Sequence, residues 1–210
     1  MLEINHRRLS AVNHLFKVSA AFVLVAMTSA CDPVTAVVGG AATIGVGAAE
    51  ERGLEGAVDD TKIRTNINDL WLRQDFDLFR DVTLTVSEGR VTLTGSVKKP
   101  ETRIDAVRLA WQAAGVRQVN DEIQVEDQSG VMDYANDVWI ANKLRTRLMF
   151  DGQIKNINYT IDVVNGVAYL MGIAQNQEEL DRAIAHARDT SGVKRVVSHV
   201  VLKNDPQRQS

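Results

Sequence analysis

Cysteine is almost absent from this chain of 210 residues: Cys31 is the only one, so no intramolecular disulfide can staple the fold. Histidine is scarce too, with four in the whole chain. Beyond Cys31 only His186 and His199 remain, far apart in the pattern, and no Cys/His cluster has metal-ligand spacing. No phosphate-binding loop is present, and no Ser, Cys or carboxylate stands in a catalytic constellation. These absences point to a protein that is not an enzyme and carries no cofactor. A membrane-spanning run is missing too. The longest apolar stretch, about Val18 to Met27, is shorter than the ~20 residues a helix needs to cross a bilayer. Net charge is only −3, which leaves no global pull towards nucleic acid.

What is present begins with that short run. Arg7, Arg8 and Lys17 precede it, and the small residues Thr28, Ser29 and Ala30 separate it from Cys31. This is the grammar of an exported precursor, with residues 1–30 as signal peptide. A lone cysteine after such a segment resembles the bacterial lipobox, although Thr28 stands where that pattern usually has Leu. The resemblance implies a diacylglycerol-modified Cys31, and a chain that carries −5 once the basic leader is gone. Residues 31–58 are rich in Gly and Ala and read as a tether.

The rest of the chain repeats itself at an offset of 77. Gly89, Gly95 and Gly115 return as Gly166, Gly172 and Gly192, and Val86, Val116 and Val119 return as Val163, Val193 and Val196. Each copy (59–126 and 138–204) reads as helix, strand, tight turn, strand, helix, strand. The helices are expected at about Thr61–Leu72, Pro100–Ala114, Val138–Phe150 and Gln177–Thr190. "SEGR" and "VNGV" read as hairpin turns, because a type I′ turn needs positive φ at both central residues. The closing strands are expected at Val119–Val125 and Val196–Leu202. The second strand, second helix and third strand form a right-handed crossover. The expected fold class is α+β: two domains, each a three-stranded mixed sheet with two helices on one face. A polar linker, 127–137, joins them, and 205–210 are a tail.

"VSEGRVTLTG…GVRQVNDEI" and "VVNGVAYLMG…GVKRVVSHV" resemble the BON domain, with Ser198 and its neighbours departing from the pattern around Asn120. Together with the leader, tether and "NDVWIANKLRTRL", the tandem arrangement resembles the dual-BON lipid-binding lipoproteins of the Gram-negative envelope. The resemblance implies a lipid-anchored protein facing the periplasm that binds anionic phospholipid and supports outer-membrane integrity, often at the division site. The outer membrane is the expected location. Asp32, next to the anchor, resembles an inner-membrane retention signal of enteric bacteria.

One helix is unusual. Ile140, Leu144 and Leu148 make its core stripe, and Trp139 falls off that stripe beside Asn142, Lys143 and Thr146. No acid occurs between Val138 and Phe150. The first copy has Lys62 in place of Trp139 and Asp69 in place of Thr146. An exposed indole beside cations suits a membrane interface. An indole sealing the contact with the first domain is the competing arrangement. The resemblance favours the membrane and assigns phospholipid contact to Trp139, Lys143, Arg147 and Arg145, with helical spacing carrying Arg145 away from the indole. A periplasmic adaptor that binds envelope proteins through the BON sheet or the domain interface is the alternative.

Overall fold

The computed structural model describes residues 49–126 and 131–208, which fall within one compact unit, Ile44–Ser210. The expected signal peptide, Cys31, nearly all of the tether, the centre of the linker and the last two residues lie outside the described residues.

The first copy opens with α1 (Gly53–Gln74), because Ile63, Ile67 and Trp71 recur every four residues and bury one stripe completely or nearly so. Trp71 is fully buried and its indole N–H donates to the carbonyl of Ala106 at 3.2 Å. A short helix α2 (Phe76–Asp81) follows, started by the Asp75 carboxylate accepting from Asp77 N–H. Then come β1 (Val82–Ser87), β2 (Arg90–Val97), α3 (Pro100–Ala110), β3 (Gln118–Asp121) and β4 (Gln124–Val125). The second copy runs through α4 (Val131–Phe150), β5 (Tyr159–Val164), β6 (Val167–Ala174), α5 (Gln177–Arg188) and β7 (Arg195–Leu202).

β1, β2 and β3 begin 77 residues before β5, β6 and β7, and α3 begins 77 before α5. β1 and β2 pair antiparallel, as do β5 and β6; β3 and β4 pair parallel with β2, and β7 with β6. This is the α+β arrangement expected from the sequence. Glu88, Gly89, Asn165 and Gly166 all have positive φ, so both hairpins close through the expected turn geometry. Each copy has its own core. Val91 and Leu93 meet Ile63, Ile67 and Ala106 in the first; Ala168 and Leu170 meet Ile140, Leu144 and Ala183 in the second.

The structure departs from the sequence reading in four places. Helix α4 starts at Val131, inside the segment read as linker, and α1 starts at Gly53, inside the segment read as tether. Helix α2 was not foreseen; the second copy has only a 3-10 turn, Asn156–Asn158, at that point. Helices α3 and α5 stop at Ala110 and Arg188, short of Ala114 and Thr190. The closing strand of the first copy breaks between β3 and β4. There the Asp121 carboxylate accepts from the N–H of Ile123, a side chain substituting for a strand partner.

The face of each sheet away from its helices is also covered. Alternation along β2 turns Arg90, Thr92 and Thr94 opposite to Val91 and Leu93, yet all three are buried; on β6 so are Tyr169, Met171 and Ile173. The two sheets cover each other: β1 meets β6 and β2 meets β5. The contact is polar. Thr94 donates to Asp162, and Gln124 Nε2 donates to Val164 O at 3.2 Å and to Tyr169 Oη at 3.1 Å. His199 Nε2 lies 2.9 Å from Glu122 Oε1. Glu122 and His199 are equivalent positions of the repeat, so their meeting places them near a pseudo-two-fold axis. The hairpin turns also reach across, each to the C-terminal end of the other domain but through different partners: Glu88 is gripped by Arg208 at 2.6 Å, and Asn165 donates to Gln124 and Glu126 at 2.9 Å. With its own helices on one face and the other domain on the opposite face, neither sheet leaves a face open among the described residues, so an adaptor would have to use a strand edge or a helix.

Candidate membrane-contact helix

Helix α4 is held from below by three features. Its core stripe Ile140–Leu144–Leu148 is fully buried. Asp137, also buried, accepts the backbone N–H groups of Asn165 and Gly166 at 2.6 and 2.8 Å, bolting the helix to the hairpin turn. Asp60 does the same for Glu88 and Gly89 at 2.9 Å in the first copy. This pair of buried acids was missed in the sequence, although Asp60 and Asp137 stand 77 apart like the glycines. The third feature is Gly192, where a Cβ would come within 2.7 Å of Ile140 Cδ1; lacking one, the chain passes close over the core stripe.

With its core side fixed, the helix turns Trp139 outwards. The indole is 56 % exposed and its ring partner is the ammonium of Lys143, 4.7 Å from the ring centroid. It is not buried as a seal against the first domain would be. Phe150 is 81 % exposed. Eleven residues are three helical turns plus about 20°, so Phe150 shares the stripe of Trp139 and Lys143, about 16 Å along the axis. Sequence reasoning overlooked Phe150, though its spacing from Trp139 was legible. Tyr134, Val138 and Met149 add further exposed apolar surface on the solvent side.

The other two basic candidates are placed differently. Arg147 Nη1 donates to Asp189 O at 2.9 Å, which caps the end of α5. Arg145 reaches the opposite way, to Ile161 O at 2.7 Å and Asn142 Oδ1 at 3.1 Å. Thus the structure joins Trp139 and Lys143, adds Phe150, and gives Arg147 and Arg145 backbone partners of their own. Just past the helix, Asp151 is engaged by His186 at 2.7 Å, and that hydrogen bond holds its carboxyl below the usual range.

The corresponding face of α1 shares only the exposed Leu72, the counterpart of Met149, and lacks the aromatic pair. Lys62 pairs with Asp59 at 2.9 Å, Asp69 pairs with Arg73 at 2.9 Å, and Arg73 itself occupies the place of Phe150.

Both halves match the BON domain family profile, at residues 59–127 and 136–204. This chain is a tandem BON-domain protein. Among curated proteins it is 40% identical over 153 residues to an uncharacterized protein in the gshII 5′ region of Anaplasma centrale, covering 72% of this chain and all of that one. It is 26% identical to osmotically-inducible protein Y of Escherichia coli, over 70% of this chain and 74% of that protein. It is also 26% identical to the outer membrane lipoprotein DolP of Haemophilus influenzae, over 78% of this chain and 85% of that protein. On the first long helix of each BON domain, only the second carries exposed aromatics; the exposed aromatics of the first domain, Phe76, Phe79 and Trp111, lie outside α1. Among the described residues no helix is long and apolar enough to cross a membrane.

Proposed function

We propose that this protein is a lipid-anchored component of the bacterial envelope, attached through Cys31 after removal of residues 1–30, and that α4 of its second BON domain lies against anionic phospholipid. One observation carries the reading: Trp139 and Phe150 are exposed on one stripe of α4, in a segment with no acid from Val138 to Phe150, with Lys143 stacked on the indole, and the matching positions of α1 hold Lys62, Arg73 and Asn66 instead. Two aromatic anchors so far apart on one face lay the helix flat in the headgroup layer rather than driving one end in. Lys143 supplies the cation nearest the indole. Arg147 and Arg145 add positive potential from the flanks while keeping their backbone hydrogen bonds. Each basic residue contributes about 1 kcal/mol near an anionic leaflet, so three give only ~3 kcal/mol. Burial of each aromatic ring adds about 1.5–3 kcal/mol. Such a sum is modest, and the acyl anchor makes it sufficient by holding the domain at high local concentration. The helix then sets orientation and lipid preference. Its likeness to DolP of Haemophilus influenzae, named as an outer membrane lipoprotein, supports the outer membrane as the location, and support of outer-membrane integrity is proposed with it.

The test is flotation with vesicles of neutral and of anionic phospholipid, paired with thermal melts. Trp139→Ala and Phe150→Ser are expected to melt as the parent does and to lose flotation with anionic vesicles. Undiminished flotation of both variants would sink the reading. Retained binding to a co-purifying envelope protein by domains that never float would favour the adaptor function instead, through a strand edge or helix.

A further inference from the structure

The edge of a sheet is a row of unpaired amides and carbonyls, and proteins blunt it to prevent unwanted pairing. The two sheets have four such edges: β1, β3 with β4, β5 and β7. Charged side chains sit on three of them. On β1 the Arg52 guanidinium takes the Val86 carbonyl at 3.3 Å. On the third strand of the first domain, Asp121 takes the Ile123 N–H at 3.2 Å and the strand breaks. On β5 Arg145 takes the Ile161 carbonyl at 2.7 Å and Asp162 its neighbour's N–H at 2.9 Å.

β7 carries no such guard among the described residues. It runs unbroken for eight residues, with Val196, Val197, Val200 and Val201 favouring an extended chain, and it pairs with β6 along its whole length. Lys203 N–H points inwards to Ala174 O, so alternation turns the amides of Val196, Ser198, Val200 and Leu202 outwards. There Val200 N–H meets only the hydroxyl of Ser198 at 3.3 Å, a long contact that a pairing strand readily replaces.

We infer that β7 is an interface between two copies of this chain, paired antiparallel across a two-fold axis near Ser198 into one six-stranded sheet. The charge of α5 selects a second copy as the occupant. This helix packs over β7 and β6, beside the open edge, whereas α4 packs over β5. Glu178 and Asp181 lie in its first turns and Arg188 in its last, with Asp189 at the cap, while Arg182 sits midway, 3.9 Å from Glu178. A two-fold axis sets α5 antiparallel to its own copy, so each acidic start meets a basic end. In the first domain α3 has a similar polarity, from Glu101 to Arg108, but the edge beside it is broken at Asp121 and Glu122 and offers no continuous strand to pair. Because α4 lies over the far edge, the interface leaves Trp139 free, and the inference stands apart from the lipid reading.

Cysteines introduced one at a time at Val197, Ser198 and His199 of the full chain carrying Cys31→Ser, oxidised in whole cells, test this directly. One of the three falls at the axis and is expected to give at least tenfold more disulfide-linked dimer than Asp121→Cys, the same repeat position as Ser198. Ser198→Pro removes an outward N–H and spares the β6 ladder. It is expected to keep the parent melting temperature and abolish dimer in sedimentation of the full chain in detergent. If all three cysteines react with a thiol label yet yield no more dimer than Asp121→Cys, the inference is overturned. It is equally overturned if Ser198→Pro remains as dimeric as the parent.

Discussion

The two BON domains of this chain share every backbone element that matters to the fold, yet they differ on the face of their first helix. α1 and α4 bury the same stripe, Ile63–Ile67–Trp71 against Ile140–Leu144–Leu148, and each is bolted to its hairpin by a buried aspartate. On the outer face, one presents Lys62, Asp69 and Arg73 in mutual salt bridges with their neighbours, and the other presents Trp139, Lys143 and Phe150. Core positions are constrained by packing on both sides, so the copies cannot diverge there without loss of stability. Surface positions carry no such constraint. The differences between the copies therefore mark where function has been added, and the identities mark what the fold requires.

The largest effects should be those that break the shared part. At Gly172, with φ of +125°, a Cβ would lie 1.9 Å from Asn158 O; at Gly95, with φ of +122°, it would lie 2.3 Å from Asp81 O. Gly172→Ala and Gly95→Ala are each expected to cost more than ~3 kcal/mol in urea unfolding, because backbone must move in either copy. Equal losses would confirm that the two positions do one job; a tolerated substitution at either would break the equivalence. Next come the bolts. Asp60→Ala and Asp137→Ala each strand two turn amides, at a cost of about 2–3 kcal/mol.

The comparison is sharpened by moving the surface difference. Trp139→Ala should cost under about 1 kcal/mol in stability, as for other exposed positions, while lipid flotation drops sharply. Lys62→Trp puts an indole at the matching place on α1, among Asp59 and Asp69. It is expected to leave flotation of a Trp139→Ala protein unrestored, since the surrounding charge has the wrong sign. Restoration would show that the indole alone suffices.

The smallest expected effect concerns the seam between the domains. Glu51 is held down to about 2, chiefly by its hydrogen bond from Lys155, with Lys203 and Gln175 assisting and burial opposing, against an ordinary 4.5. Its folded-state value is depressed, so its contribution is fully present above pH ~4.5 and fades as pH falls towards 2. Glu51→Gln should flatten the acid limb of a stability–pH curve. Asp162 has the opposite sign. Burial raises its carboxyl despite the Thr94 hydroxyl, so its charge opposes folding as pH rises through its range. Asp162→Asn is expected to be neutral or slightly stabilising at pH 7, in a thermal melt.

Much of the architecture could be read without coordinates. Asn165-Gly166 names its own turn, Pro100 starts its helix, and an offset kept without a gap makes each copy a check on the other. The exposure of Trp139 followed from its angle to the core stripe, and Phe150 would have followed by the same arithmetic. The roles of Arg145 and Arg147 did not follow, because the carbonyls they cap belong to Ile161 on β5 and to Asp189 at the end of α5. Nor did α2, a six-residue helix whose cap and buried Leu78 matter more than any periodicity so short a segment can display.

By itself the sequence determined the local periods: which residues alternate, which recur every three or four, where φ must be positive, and that the whole pattern occurs twice. Those are properties of neighbouring residues and need no distant partner. Only the tertiary structure decided what covers the second face of each sheet. Arg90, Thr92, Thr94 and Tyr169 look like solvent-facing residues in an alternating strand, and they are buried because the other domain lies over them. The meeting of Glu122 with His199 and of Glu88 with Arg208 depends on how two domains dock. Docking is fixed by the complementarity of whole surfaces, which no window of sequence contains.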